Sequence, residues 1–226
     1  PDKNTFIASQ NGYPDKDYKA LVDRLRSGFP EVKYIDISGL LSADDFYYTD
    51  SHWRQERILK VADEIADKMG AERIGQCEKH DTGISFYGVY YGQAALPHAP
   101  ESLFYLDNAV IRRLKVYNVE TSSDIPVYDL GAAAGRDPYE MFLGGARSII
   151  RITNPNTAKK RRLIVFRDSF GSSIAPLIAA GYSEITLVDI RYISPSSLGK
   201  LIDFTKADDA LFLYSASVIN NSETIK

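Results

Sequence analysis

The chain has one cysteine, Cys77, so no disulfide can close within it, and only three histidines, His52, His80 and His98. That stock of thiols and imidazoles assembles no convincing zinc-type cluster. No metal and no cofactor are expected. No apolar run approaches the roughly 20 residues that a membrane-crossing helix needs. An excess of either charge is missing too. The 27 basic and 30 acidic side chains leave a net charge of −3, which offers no global field to attract nucleic acid. The one basic run, Lys159-Lys160-Arg161-Arg162, precedes an apolar strand and reads as a solvated turn. No glycine-rich phosphate loop follows the early strands, which counts against a flavodoxin-like small-molecule domain. Repeats and low-complexity tracts are also lacking. Any leader or membrane anchor lies upstream of Pro1, and membrane contact is expected only through such a segment.

What is present is a globular composition, 44% hydrophobic over 226 residues, which fits one domain spanning 1–226 with a sizeable insertion. Residues 16–27 put Leu21, Val22 and Leu25 on one helical face, and Gly28 with Pro30 stops that helix. Residues 32–37 alternate like a strand. Residues 54–69 give the clearest helix, with Ile58, Val61, Ala62, Ile65, Ala66 and Met69 in one stripe and Gly70 at its end. The middle, about 78–152, is rich in tyrosine, with strands expected at 84–91, 111–119 and 148–153, and reads as a β-rich insertion. Its tyrosines suit half-buried packing or a sugar-binding surface equally. The last third alternates strand and helix: strands at 162–166, 184–190 and 210–214, helices at 170–180 and 196–204. Such alternation predicts an α/β fold with a parallel sheet flanked by helices.

In a parallel sheet, ligands bind beyond the carboxyl ends of the strands. One segment there is Phe166-Arg167-Asp168-Ser169-Phe170-Gly171, a strand running directly into a helix. Ser169 at that junction is a candidate nucleophile, with its own N–H and the helix end suited to an oxyanion. Asp168 or Ser169 can equally be a helix N-cap. The other segment is Tyr48-Thr49-Asp50-Ser51-His52-Trp53. In an extended loop Asp50 and His52 point to one side, so a carboxylate can orient an imidazole base. Capping of the following helix by Asp50 or Ser51 is again the alternative. Considered jointly, the segments supply a serine, a base and an orienting acid. Arg191 and Tyr192 follow an apolar strand and should emerge on the same rim, where Arg191 can pair with Asp168 or an acidic substrate. Tyr48 either lines the cleft or packs in the core.

Thr49-Asp50-Ser51-His52-Trp53, followed far downstream by Asp168-Ser169-Phe170-Gly171, resembles the bacterial DHHW protein family. That family is similar to the alginate O-acetyltransferase proteins of the AlgJ and AlgX type. Tyr47-Tyr48-Thr49-Asp50, Phe142-Leu143-Gly144-Gly145 and Val188-Asp189-Ile190-Arg191-Tyr192 fit as well. The resemblance implies an SGNH-hydrolase-like (flavodoxin-like) fold and a triad of Asp50, His52 and Ser169. It also implies acyl transfer to water or a carbohydrate hydroxyl, a carbohydrate or small acyl-ester substrate, and an extracytoplasmic location. Gly144 or Gly145 is the candidate for an oxyanion donor. Ser51 stands where the family has its first histidine, and Arg167 where SGNH enzymes have glycine before Asp-Ser. A non-catalytic carbohydrate-binding or assembly protein on the same scaffold is the competing reading.

Overall fold

Strand–helix alternation in the last third of the chain builds three parallel strands in the computed structural model, which describes residues 1–94 and 98–224. Three helices, α1 (Lys3–Asn11), α2 (Tyr18–Gly28) and α3 (Leu59–Met69), precede all of its strands. A hairpin follows, β1 (Glu78–Phe86) and β2 (Glu101–Asp107), with α4 (Val89–Ala94) in its connection. Next come β3 (Lys115–Asn118), β4 (Ser123–Ile125), the single turn α5 (Leu130–Ala133) and β5 (Ile149–Thr153). The chain ends with β6 (Arg162–Arg167), α6 (Phe170–Ile174), β7 (Glu184–Val188), α7 (Pro195–Leu198), β8 (Asp209–Leu213) and α8 (Ala216–Asn220).

The central sheet has six strands in the order β4-β3-β5-β7-β6-β8. Only β7-β6-β8 are parallel; β4, β3 and β5 pair antiparallel. The expected parallel, flavodoxin-like sheet is thus a mixed α/β sheet. The reason is the connections: helical crossovers return a chain parallel, whereas the turn after β3 reverses it. In the middle segment, β3, β4 and β5 belong to this central sheet, and only the β1–β2 hairpin stands outside it.

Other expectations shift for local reasons. Residues 32–37 form no strand, although Ile35 and Ile37 pack against the core. Their alternation records one half-buried face, and among the described residues no ladder partner lies beside them. Residues 84–91 split into the end of β1 and the start of α4. The helix at 170–180 remains α-helical only to Ile174, then tightens to a 3-10 run over Ala175–Gly181 that contains Pro176. The 196–204 helix is a single turn, α7, followed by a 3-10 turn at Phe204–Lys206.

The α3 stripe, capped by left-handed Gly70, packs with Ile150, Ile152, Leu163, Val165, Ile185 and Leu187 on one sheet face. Each such side chain contributes about 1.5–3 kcal/mol when fully buried. Ile149, Ile164, Val188, Leu198 and Ile202 form a cluster on the other face. A third cluster, Tyr47, Phe86, Leu103, Tyr139, Met141 and Phe142, joins the hairpin to the loop that carries Asp50. No helix among the described residues is long and apolar enough to cross a membrane.

Candidate active site

At the end of β6 the backbone passes directly from strand to helix. Asp168 there is buried, and its carboxylate accepts from Phe170 N at 3.0 Å and Ser215 N at 2.7 Å. It therefore ties the start of α6 to the exit of β8. With Asp168 occupied in this way, Ser169 makes no side-chain cap. Its Oγ lies instead 2.7 Å from His52 Nε2, across 117 residues of sequence. The helix cap and the imidazole contact thus fall on adjacent residues.

Asp50 combines the two roles. Its Oδ1 accepts from His52 N at 2.9 Å, closing a tight turn, and lies 2.6 Å from His52 Nδ1. Its Oδ2 accepts from Val89 N at 2.9 Å. Two aromatic rings hold the imidazole: Tyr139 stacks on it with centroids 3.9 Å apart, and Phe170 lies tilted against it at 5.1 Å. Trp53 is buried and donates through Nε1 to Ser173 Oγ at 2.7 Å, a contact Tyr139 Oη repeats at 2.8 Å. This stitches the Asp50–His52 loop to α6, the helix that starts at Ser169. Burial pushes the Tyr139 phenol far up, so it stays protonated as a donor.

Burial alone would raise the Asp50 carboxyl, but the His52 ring bond, the imidazole charge and two backbone N–H bonds hold it below its ordinary 3.8. A carboxylate depressed in the folded state stabilises the fold above its unfolded value, and that contribution is lost as pH falls through its lowered folded value. Asp50→Asn is expected to lower the melting temperature at neutral pH. The gap from wild type should hold level down to about pH 5 and narrow as pH falls from there to about 2. A gap that stays constant across this range contradicts an ionised, hydrogen-bonded Asp50.

The other rim residues are arranged differently from the simplest expectation. Arg191 forms a two-pronged pair with Asp189, Nε to Oδ1 at 2.9 Å and Nη2 to Oδ2 at 2.6 Å. It is not paired with Asp168. Tyr192 is half exposed beside the Arg191 guanidinium. Arg167 is completely buried, with Nη1 donating to Ser172 Oγ at 3.1 Å and lying 3.8 Å from Asp189 Oδ2 as an ion pair. A Cβ on Gly171 would come within 2.6 Å of the Arg167 Cβ, so the glycine leaves room for this side chain. Gly144 and Gly145 take left-handed φ values in the turn before β5, whose start shares this rim because β5 runs antiparallel to β7. No described contact joins either glycine to Ser169, and the Gly145 amide already donates to Phe142 O. Tyr48 is 68% exposed and stacks on His98, so it stands at the surface and not in the core.

Sequence reasoning did not find Tyr139, Ser173 or Val89, nor Glu101, whose carboxylate accepts from Tyr48 N and Thr49 N just before Asp50. Each meets the site only through long-range contact, and none lies in a motif. Gly88, pressed against the Asp50 turn, carried no local signal either.

No protein-family model matches the chain, and no curated protein does. Solved structures do. A DHHW family protein from Eubacterium siraeum superimposes with a TM-score of 0.72 at 18% identity, covering 93% of this chain and 74% of that one. The chain has the fold of a DHHW family protein. PatB1 of Bacillus cereus, solved with a sulfonyl adduct, matches at a TM-score of 0.69 and 18% identity, covering 97% of this chain and 80% of its own. Identities this low speak to the fold and leave the chemistry to be argued from the residues.

Proposed function

We propose that the protein is a serine-dependent acyl-transfer enzyme of the SGNH-hydrolase type, with Ser169 as nucleophile, His52 as base and Asp50 as the acid that orients it. The observation that carries this reading is the chain of contacts from Asp50 through His52 to the Ser169 hydroxyl, at 2.6 and 2.7 Å. Capping accounts for neither the imidazole–hydroxyl contact nor its span of 117 residues.

Ser169 Oγ attacks the carbonyl carbon of an ester while His52 Nε2 takes the hydroxyl proton. Negative charge gathers on the carbonyl oxygen, for which the Ser169 amide is the nearest donor on the nucleophile's own residue. The bond to the leaving oxygen then breaks, and His52 returns the proton to it. An acyl-Ser169 ester remains. A second hydroxyl gives its proton to His52 and attacks the acyl carbon; the bond to Ser169 Oγ breaks and His52 passes the proton to that oxygen, restoring the serine. Asp50 keeps Nδ1 protonated throughout and stabilises the imidazolium.

The second hydroxyl is a carbohydrate's or water's, making the protein an O-acetyltransferase or an esterase. Support for carbohydrate comes from the resemblance to the DHHW family and from the exposed rings of Tyr48, Tyr87 and Tyr91 around α4, whose first amide contacts Asp50. An extracytoplasmic place follows from the same resemblance.

The test is covalent labelling of the folded protein with a fluorophosphonate or an arylsulfonyl fluoride, since PatB1 is known with a sulfonyl adduct. One adduct per chain is expected, located on Ser169 by peptide mass spectrometry and lost in His52→Ala. An unlabelled Ser169 in folded protein removes the enzymatic reading and leaves a binding scaffold.

A further inference from the structure

Asp50 stands at the end of a turn, residues 47–49, whose backbone is gripped by two side chains of opposite charge, Lys3 buried and Glu101 largely so. Glu101, the first residue of β2, accepts from Tyr48 N through Oε1 at 2.7 Å. Its Oε2 accepts from Thr49 N and Thr49 Oγ1, both at 2.7 Å. From α1, Lys3 Nζ donates to Tyr47 O at 2.7 Å and Tyr48 O at 2.6 Å. Lys3 is 6% exposed and the Glu101 side chain 11%. The carboxylate thus holds the N–H ends of the turn and the ammonium holds its carbonyl ends.

The other side of the same turn is closed by the hairpin connection. Gly88 N donates to Thr49 Oγ1 at 3.0 Å, Tyr90 N to Thr49 O at 3.0 Å and Val89 N to Asp50 Oδ2 at 2.9 Å. Closing a turn requires no charge, and burying one costs several kcal/mol unless it is fully bonded. Charge-assisted bonds are shorter and stiffer than neutral ones. Two of them aimed at peptide groups directly before Asp50 restrict where its carboxylate can sit.

We propose that Glu101 and Lys3 are positioning residues for the Asp50–His52 pair, and that the β1–β2 hairpin outside the central sheet serves the site by carrying Glu101 and the 88–90 amides. This rests on the acyl-transfer reading of the site. Neither residue touches the reacting atoms. Both act through the backbone of residues 47–49 on the 2.6 Å contact between Asp50 Oδ1 and His52 Nδ1. Misplacing a catalytic group by about 1 Å costs on the order of 10²-fold in rate.

A double-mutant cycle on the full chain tests it, reading kcat and KM for an aryl acetate in wild type, Glu101→Gln, Asp50→Asn and the pair. Glutamine keeps the shape of Glu101 but turns an NH2 group toward N–H donors. The expected result is a fall in kcat on the order of 10²-fold with KM unchanged, and little further loss when Glu101→Gln is added to Asp50→Asn. Losses that multiply in the double variant, or an unchanged kcat in Glu101→Gln, overturn the proposal. Lys3→Met run through the same cycle gives the answer if Glu101→Gln does not fold. A wild type that is folded yet neither turns over nor labels sinks the functional reading itself, and the positioning role with it. A wild type that labels and turns over while both variants match it overturns only the positioning role.

Discussion

Ser169→Ala is expected to lose turnover of an aryl acetate by on the order of 10⁴-fold or more while the protein keeps its fold. The structure explains why these two outcomes separate. The Ser169 hydroxyl has one described side-chain partner, His52 Nε2, and makes no helix cap. The cap belongs to Asp168, which the substitution leaves alone. His52 also keeps its seat, because Asp50 holds Nδ1 and Tyr139 covers the ring. Such a change typically falls within about 0.5 kcal/mol of neutral, or roughly 1–2 °C in melting temperature for a chain of this size. Activity of the purified variant within about tenfold of wild type would show that another group attacks the ester.

Gly88→Ala is expected to damage stability and site together. A Cβ at Gly88 would sit 2.3 Å from both Asp50 Cβ and the Thr49 carbonyl oxygen. One of those is backbone and the other the root of the acid's side chain, so neither can swing away. The turn must move, and the amides of Gly88 and Val89 move with it. A cost of about 3 kcal/mol lies at the upper end for such overpacking and corresponds to a fall of roughly 6–12 °C in melting temperature. Labelling of Ser169 should slow on the order of 10²-fold as Asp50 leaves Nδ1. Gly92 is the control: it lies in α4, where an added Cβ would meet nothing within 4 Å, so Gly92→Ala should be tolerated or mildly stabilising. A Gly88→Ala protein that melts and labels like wild type means that the 88–90 backbone does not press on Asp50 as described.

The candidate site was legible where its chemistry is local. Asp50 and His52 are two residues apart, so one turn brings carboxylate, amide and ring together. Ser169 follows directly from a strand that ends before a helix, and that junction needs no distant information. Arg167 shows the limit. Arginine is ordinarily exposed, yet Arg167 is among the most deeply buried side chains, beneath Gly171 and facing Asp189. Its place depends on which way β6 faces, and β6 lies between β7 and β8 in the middle of the parallel trio. Arg191 shows another limit. Its pairing with Asp189 is as local as that of Asp50 with His52, but Asp168 is an equal candidate in the sequence, and only the backbone at 189–191 brings Asp189 to the guanidinium.

Sequence alone determined the periods and punctuation of the chain: the α3 stripe and its glycine stop, the alternation of strand and helix after residue 162, and the residue types at the two reactive turns. These follow from side-chain spacing and backbone preference over a few residues. The tertiary structure decided the direction of β3, β4 and β5, the absence of a strand at 32–37, and the meeting of His52 with Ser169. It also recruited Glu101, Lys3 and Tyr139. Strand direction depends on how each connection returns to the sheet, and a contact across 117 residues exists only after the intervening hairpin and strands have packed, so neither leaves a mark in local sequence.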